Sequence, residues 1–164
     1  MLKQVYDKEQ LTKIVKSSDV WKWKILRLHG SVDQAVENTV AYWGSHFPKL
    51  ELFDTYKTRG KYIFTPSRME DFFAINLLDR FIRRIYKVRQ SDRGRIIRQI
   101  KKILTDPGNH QVIRLDIKNF YESIALDKMI KKIIDDLILA PNGIQILENI
   151  SSNLKKSISI QWTT

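Results

Sequence analysis

Residues 70–85 read EDFFAINLLDRFIRRI, and this stretch carries one of the two strongest helical patterns in the chain. Its apolar side chains recur three and four positions apart, which places them on one face of an α-helix. They are Phe72, Phe73, Leu77, Leu78, Phe81, Ile82 and Ile85. We expect this face to be committed to a hydrophobic core.

The other strong helical pattern follows in the next segment. Ser91 is in place to cap this helix, and Pro107 with Gly108 ends it. Its apolar stripe consists of Ile96, Ile97, Ile100, Ile103 and Leu104. We expect this stripe to be committed to a core as well. That expectation argues against a helix lying on a membrane surface, which needs apolar residues that are free to insert.

The segments before these helices add further helices and a hairpin. Asp7 and Gln10 have capping-box spacing at the start of one helix, and Ser31 is placed to cap a later one. Aromatic and β-branched residues on both sides of Gly60 predict a β-hairpin within residues 50–66. The chain is therefore predicted to be mainly α with a small β component, an α+β fold.

Residues 111–117 are predicted to form a strand, with Ile113 and Leu115 on one face. Asp116 lies near the end of this strand, before a predicted turn. A carboxylate in that position is well placed to hold magnesium, which prefers oxygen ligands. An aspartate after a strand is, however, more often a turn or N-cap residue. Both interpretations stay open at this point.

Length and composition describe an ordinary folded chain with an unusual charge. The 164 residues suit one domain, at about 150 residues per domain. There is no cysteine, which excludes disulfides and thiolate chemistry. No apolar run approaches the roughly 20 residues of a membrane helix. We therefore expect a cytoplasmic protein with no membrane partner.

The net charge of +11 is concentrated in one segment. Residues 76–102 hold ten basic and two acidic side chains, with Phe81 and Tyr86 among them. A basic patch with interleaved aromatic residues suits a nucleic-acid backbone. The alternative is a solvated helix face, which is what most charge runs are.

Two stretches resemble a known family. Residues 112–124 read VIRLDIKNFYESI and resemble the first catalytic palm motif of bacterial reverse transcriptases. Residues 85–93 and their helix resemble the fingers of the retron-like and abortive-infection branch, which acts in anti-phage defence. The resemblance covers roughly residues 56–150. It implies a helical N-terminal extension (1–55), a fingers-like basic region (56–108) and the start of a palm (109–164), together a partial right-hand polymerase.

The resemblance also implies roles for individual residues. Asp116 and the backbone carbonyl of Ile117 would bind Mg²⁺, of which the complete enzyme uses two ions. Phe120 and Tyr121 would line the pocket for the incoming dNTP, where Tyr121 would exclude a 2′-hydroxyl. Basic residues of the fingers would face the RNA or DNA template or the triphosphate; they are Arg83, Arg84, Lys87, Arg89 and Arg93.

The sequence also departs from the family. Its members carry a later hairpin with two adjacent aspartates, whereas Asp135 and Asp136 are predicted to face solvent within a helix. The missing metal ligands would have to come from a second chain or from a C-terminal polymerase half. We expect this chain alone not to polymerise DNA. The alternatives are a non-enzymatic nucleic-acid-binding module derived from the fingers, and a basic helical protein whose partner is another protein.

Overall fold

Helix α5 (Met69–Ile85) contributes more buried apolar side chains than any other described element. A computed structural model describes residues 4–46, 53–58, 60–87, 92–111, 113, 115 and 124–161, and of residues 46, 61 and 155–161 it describes the backbone alone. Most described residues are helical, and the small sheet has two antiparallel strands. The predicted α+β fold with a small β component is thus confirmed.

The described elements follow one another along the chain in a simple order. The helices besides α5 are α1 (Lys8–Thr12), α2 (Ser17–Lys22), α3 (Ile25–His29), α4 (Val32–His46), α6 (Arg93–Leu104), α7 (Leu126–Asp135) and α8 (Pro141–Gln161). The strands are β1 (Phe53–Thr58) and β2 (Lys61–Pro66). None of the helices in the described ranges combines the length and the apolar character needed to cross a bilayer.

The core forms where α1, α4, β2 and α8 pack around α5. Phe73, Leu77 and Phe81 are almost completely buried along the face that their spacing predicts. Gly143 lets α8 come close, because a Cβ atom there would lie 3.3 Å from Cδ1 of Leu78. The apolar face of α5 is therefore committed to a core, as expected.

The N-terminal segment is fastened to the loop before α8 by one side chain. Gln4 donates from Nε2 to the carbonyl of Ile138 at 2.7 Å and accepts from the amide of Ala140 at 2.9 Å. A side-chain amide here satisfies a backbone donor and a backbone acceptor that would otherwise lack these partners. The contact brings opposite ends of the sequence together.

Two of the predicted N-cap residues are confirmed by their hydrogen bonds. Asp7 accepts from the amide of Gln10 at 2.9 Å, and Ser31 accepts from the amide of Gln34 at 3.1 Å. For α6 the predicted cap is wrong. Asp92 is the N-cap and accepts from the amide of Gly94 at 2.9 Å. Both residue types are good caps, and aspartate adds a negative charge at the positive end of the helix.

The predicted hairpin is confirmed, and β1 pairs with β2 from Phe53 opposite Pro66 to Thr58 opposite Lys61. The predicted strand at 111–117 is not found in its described part. Gln111, Ile113 and Leu115 belong to no strand, and the last two are 79% and 88% exposed. A strand needs a neighbour for its backbone hydrogen bonds, and the described strands pair only with each other.

The expectation that the α6 stripe is committed to a core is wrong. Its five aliphatic side chains are between 42% and 61% exposed, and α6 has no buried residue. Helical periodicity shows that one face is apolar, but it does not show that a partner lies against that face. The apolar face of α5 is therefore buried, whereas that of α6 is exposed.

Replacing Phe81 with alanine tests the central role of α5. The side chain is 1% exposed, and its ring meets that of Tyr6 edge-on at 5.5 Å. We expect Phe81→Ala to lower the free energy of unfolding by about 3–5 kcal/mol in urea denaturation. Leu28→Ala is the control, because Leu28 is 64% exposed and its loss should cost less than about 0.5 kcal/mol. Equal effects of the two substitutions would contradict a core centred on α5.

Candidate nucleic-acid interface

Exposed cations are carried by the last turn of α5, the residue that follows it, and α6. We call these the basic region; its described members are Arg83, Arg84, Lys87, Arg93, Arg95, Arg98, Lys101 and Lys102. Arg89, another predicted contact, lies outside the described residues. All eight described side chains are exposed, so their charges face water and are available to a polyanion.

The cations of α5 are partly engaged within the protein. Arg83 donates from Nε to both carboxylate oxygens of Asp79 at 2.8 Å, and this hydrogen bond raises the pKa of Arg83. Arg80 lies just before the basic region and donates to the carbonyl of Lys13 at 3.0 Å, which fastens α5 to the end of α1. Arg80 therefore stabilises the packing of α5 on α1, and Arg83 is partly neutralised by its ion pair with Asp79.

The cations of α6 are less engaged. Arg98 approaches Asp92 at 3.9 Å, and both side chains are at least 70% exposed. Within the part of the chain that the structure describes, no ion pair involves Arg93, Arg95 or Lys101. An exposed pair at that distance contributes little. The helix thus presents almost its whole positive charge to solvent.

Helix stability does not account for this charge. In α5, Glu70 and Asp71 lie in the first turn and Arg83 and Arg84 in the last, which is the order that the helix dipole favours. In α6, arginines occupy the first turn and no acidic residue does. Cations at the N-terminus oppose the dipole. Asp92 at the N-cap offsets part of this repulsion, but the arginines in the first turn gain nothing from the dipole.

Lys87 directs the chain as it leaves α5. Its φ of 50° lies in the left-handed region, just after the C-cap residue Tyr86. A residue in this conformation commonly ends a helix. The side chain stays exposed, so Lys87 both turns the backbone and adds to the basic region.

Tyr86 connects the end of α5 to the end of α7. Its hydroxyl donates to Oδ2 of Asp136 at 2.9 Å, and Lys132 donates to Oδ1 at 3.2 Å. The hydrogen bond from Tyr86, followed by that from Lys132, lowers the pKa of Asp136. Asp135 is exposed at the end of α7, as predicted, whereas Asp136 is the C-cap that follows it and is partly covered by Tyr86.

The predicted palm residues are not among those described. Asp116, Ile117, Phe120 and Tyr121 all lie outside the described residues, so the structure does not relate them to the basic region. Among the described residues, no three His, Cys, Asp or Glu side chains form a group that could hold a metal ion. None of the described carboxylates is therefore assigned to magnesium.

Exposed aromatic side chains on the hairpin were not predicted as binding residues. Tyr56 is 52% exposed and Tyr62 is 48% exposed, and Nζ of Lys57 lies 5.4 Å from the centre of the Tyr62 ring. Lys57 lies opposite Tyr62 in the ladder, so their side chains share a face and Tyr56 lies on the other. Exposed rings beside lysine are suited to stacking on bases. Strand alternation in the sequence predicts that Tyr56 and Tyr62 lie on opposite faces of the hairpin. It does not predict that both faces are exposed to solvent.

Comparison with protein-family models, with curated proteins and with solved structures finds no match to this chain.

Removing the Tyr86 hydroxyl tests the link between α5 and α7. We expect Tyr86→Phe to raise the pKa of Asp136 towards its ordinary value, because the largest cause of its lowering is lost. A carboxyl with a lowered pKa stabilises the fold above its ordinary pKa, and this contribution is lost as pH falls through the lowered value. The variant should lose part of that acid-dependent stability. NMR titration of the carboxyl measures the pKa, and Tyr56→Phe should leave it unchanged.

Proposed function

We propose that this protein binds RNA or DNA through phosphate contacts made by the basic region. The observation that supports this proposal is α6, a helix with five exposed cations and no acidic residue. Each cation that meets a phosphate releases condensed counterions, which favours binding and makes it depend on salt. Phosphate contacts of this kind carry no sequence information by themselves. Binding is therefore expected to be largely independent of base sequence.

We further propose that the protein binds nucleic acid as the fingers and first palm segment of a reverse transcriptase of the defence-associated type. The support is the resemblance of residues 85–93 and 112–124 to that family. In this proposal Asp116 and the carbonyl of Ile117 hold Mg²⁺, and Phe120 and Tyr121 receive the dNTP. The remaining metal ligands come from a second chain or from a C-terminal polymerase half.

A binding module without catalysis is the second candidate. It is favoured by the departure from the family, since Asp135 and Asp136 lie at the end of helix α7 and not on a hairpin. Both candidates use the basic region in the same way. They differ in whether Asp116 and Tyr121 recognise a nucleotide.

Neutralising two cations on α6 tests the binding surface. We expect Arg95→Gln with Lys102→Gln to weaken binding to a mixed-sequence single-stranded RNA and to lower the slope of log K against log salt by about 1.4, at roughly 0.7 for each lost contact. Fluorescence anisotropy over a salt series measures both quantities. The matched control is Lys128→Gln with Lys131→Gln, which removes the same charge from exposed positions on α7.

The two double variants separate a specific surface from net charge. Equal weakening by both would mean that the overall charge, and not α6, attracts the polyanion. Absence of RNA and DNA binding by the unaltered protein at low salt would refute the proposal and favour a protein partner.

Nucleotide binding separates the two candidates. The reverse-transcriptase proposal expects Mg²⁺-dependent binding of dTTP by this chain, loss of that dependence in Asp116→Asn, and admission of UTP in Tyr121→Ala. Equilibrium binding with labelled nucleotides measures all three. RNA affinity should stay within about twofold in each variant, because neither residue belongs to the basic region. Absence of dTTP binding, with RNA binding intact, would favour the module. Asp116-dependent DNA synthesis by the chain alone would refute the need for a second part.

A further inference from the structure

The apolar stripe of α6 is the feature that nucleic-acid binding does not use. It consists of Ile96, Ile97, Ile100, Ile103 and Leu104, all of them between 42% and 61% exposed. An isolated helix of this length is marginal in water, since helices in proteins depend on packing of their apolar face. Contact of the stripe with an apolar surface would therefore stabilise α6.

The basic side chains beside the stripe limit the chemistry of a surface that could cover it. Lys101 follows Ile97 by four positions, so it borders the stripe, and Arg93 lies at its N-terminal end. Arg95, Arg98 and Lys102 lie on the opposite side of the helix. A covering surface must accept aliphatic side chains at its centre and cations at its edge.

We propose that the α6 stripe docks on the surface of a lipid bilayer that contains anionic lipid. In such a complex the helix lies in the plane of the interface, with its aliphatic side chains at the boundary of the acyl chains. Arg93 and Lys101 reach the headgroup phosphates, since long basic side chains extend from an apolar surface towards a polar one. Insertion of the aliphatic side chains and attraction of the cations to anionic lipid both favour binding, and stable peripheral binding needs both.

Other occupants fit less well. A second copy of the chain, packed stripe to stripe, would bring Arg93 and Lys101 of one α6 towards the same cations of the other. A stable protein interface uses about 20–30 residues on each side and favours aromatic anchors, whereas this stripe offers five residues, all aliphatic. A nucleic acid satisfies the cations but leaves the isoleucines in water. A bilayer needs no complementary shape, and it satisfies both.

The proposal is compatible with nucleic-acid binding on the same helix. With the stripe in the interface, Arg95, Arg98 and Lys102 point away from the membrane. No described helix is long and apolar enough to span a bilayer, so the contact proposed is peripheral. The chain would then hold a nucleic acid close to a membrane surface.

Vesicle co-sedimentation tests the proposal with the full chain. We expect it to sediment with vesicles of phosphatidylcholine containing phosphatidylglycerol, and much less with phosphatidylcholine alone. Ile100→Gln with Ile103→Gln should reduce the partition coefficient by about tenfold or more, because two inserted side chains become polar. Both positions are exposed and glutamine is a good helix former, so we expect the variant to fold. Circular dichroism checks that it does.

The matched control is Leu26→Gln with Leu28→Gln, which removes two exposed leucines from α3 and should leave vesicle binding unchanged. RNA affinity, measured in parallel, should be unaffected by either double variant. Absence of RNA binding by the unaltered protein, with vesicle binding intact, would count against the proposed function and not against this inference.

Four results would overturn the inference. They are absence of vesicle binding, equal binding with and without anionic lipid, vesicle binding that survives the α6 substitutions, and a dimer in sedimentation velocity that those substitutions dissolve. The last would assign the stripe to a second copy of the chain.

Discussion

Burial of the apolar face of α5 holds the helices of the core and the hairpin together. Phe73, Leu77 and Phe81 lie on this face, and α1, α4, β2 and α8 meet there. Each large side chain that leaves water stabilises the fold by about 1.5–3 kcal/mol. A two-stranded hairpin is marginal by itself, and the contact of β2 with α5 gives it support. The short helices near the N-terminus gain support from the same core.

The same helix shows how a structural element presents charge. Its buried face fixes its position, and the residues at its C-terminal end remain outside the core. Arg80 and Arg83 are engaged there by Lys13 and Asp79. The basic region thus begins on a helix held by the core and continues on α6, which buries nothing. Arg80 and Arg83 are held by hydrogen bonds, whereas the cations of α6 make one long ion pair, between Arg98 and Asp92, among the described residues.

This contrast guides the functional proposals. Arginines in the first turn of α6 oppose the helix dipole, and its isoleucines face water. Asp92 at the N-cap offsets part of the first feature, and no described residue covers the second. In the two proposals, a polyanion would offset the charge, and an anionic bilayer would also cover the isoleucines. In the reverse-transcriptase proposal the polyanion would be a template or primer, and the palm residues of that proposal lie outside the described part of the chain.

Features that depend on neighbours along the chain could be predicted from the order of amino acids. The caps at Asp7 and Ser31, the hairpin around Gly60 and the apolar face of α5 follow from local hydrogen bonding and from helical and strand periodicity. The cap of α6 shows the limit of this reasoning, because Ser91 and Asp92 offer nearly equal local signals.

Which apolar faces are covered depends on packing between distant segments. Nearly identical periodicity describes α5 and α6, yet one is buried and the other is exposed. Packing decided this, because burial depends on which distant segment lies against a face, and no spacing within a helix encodes that. The hydrogen bonds of Gln4 to Ile138 and of Tyr86 to Asp136 could not be predicted from spacing either, because they join residues far apart in the sequence.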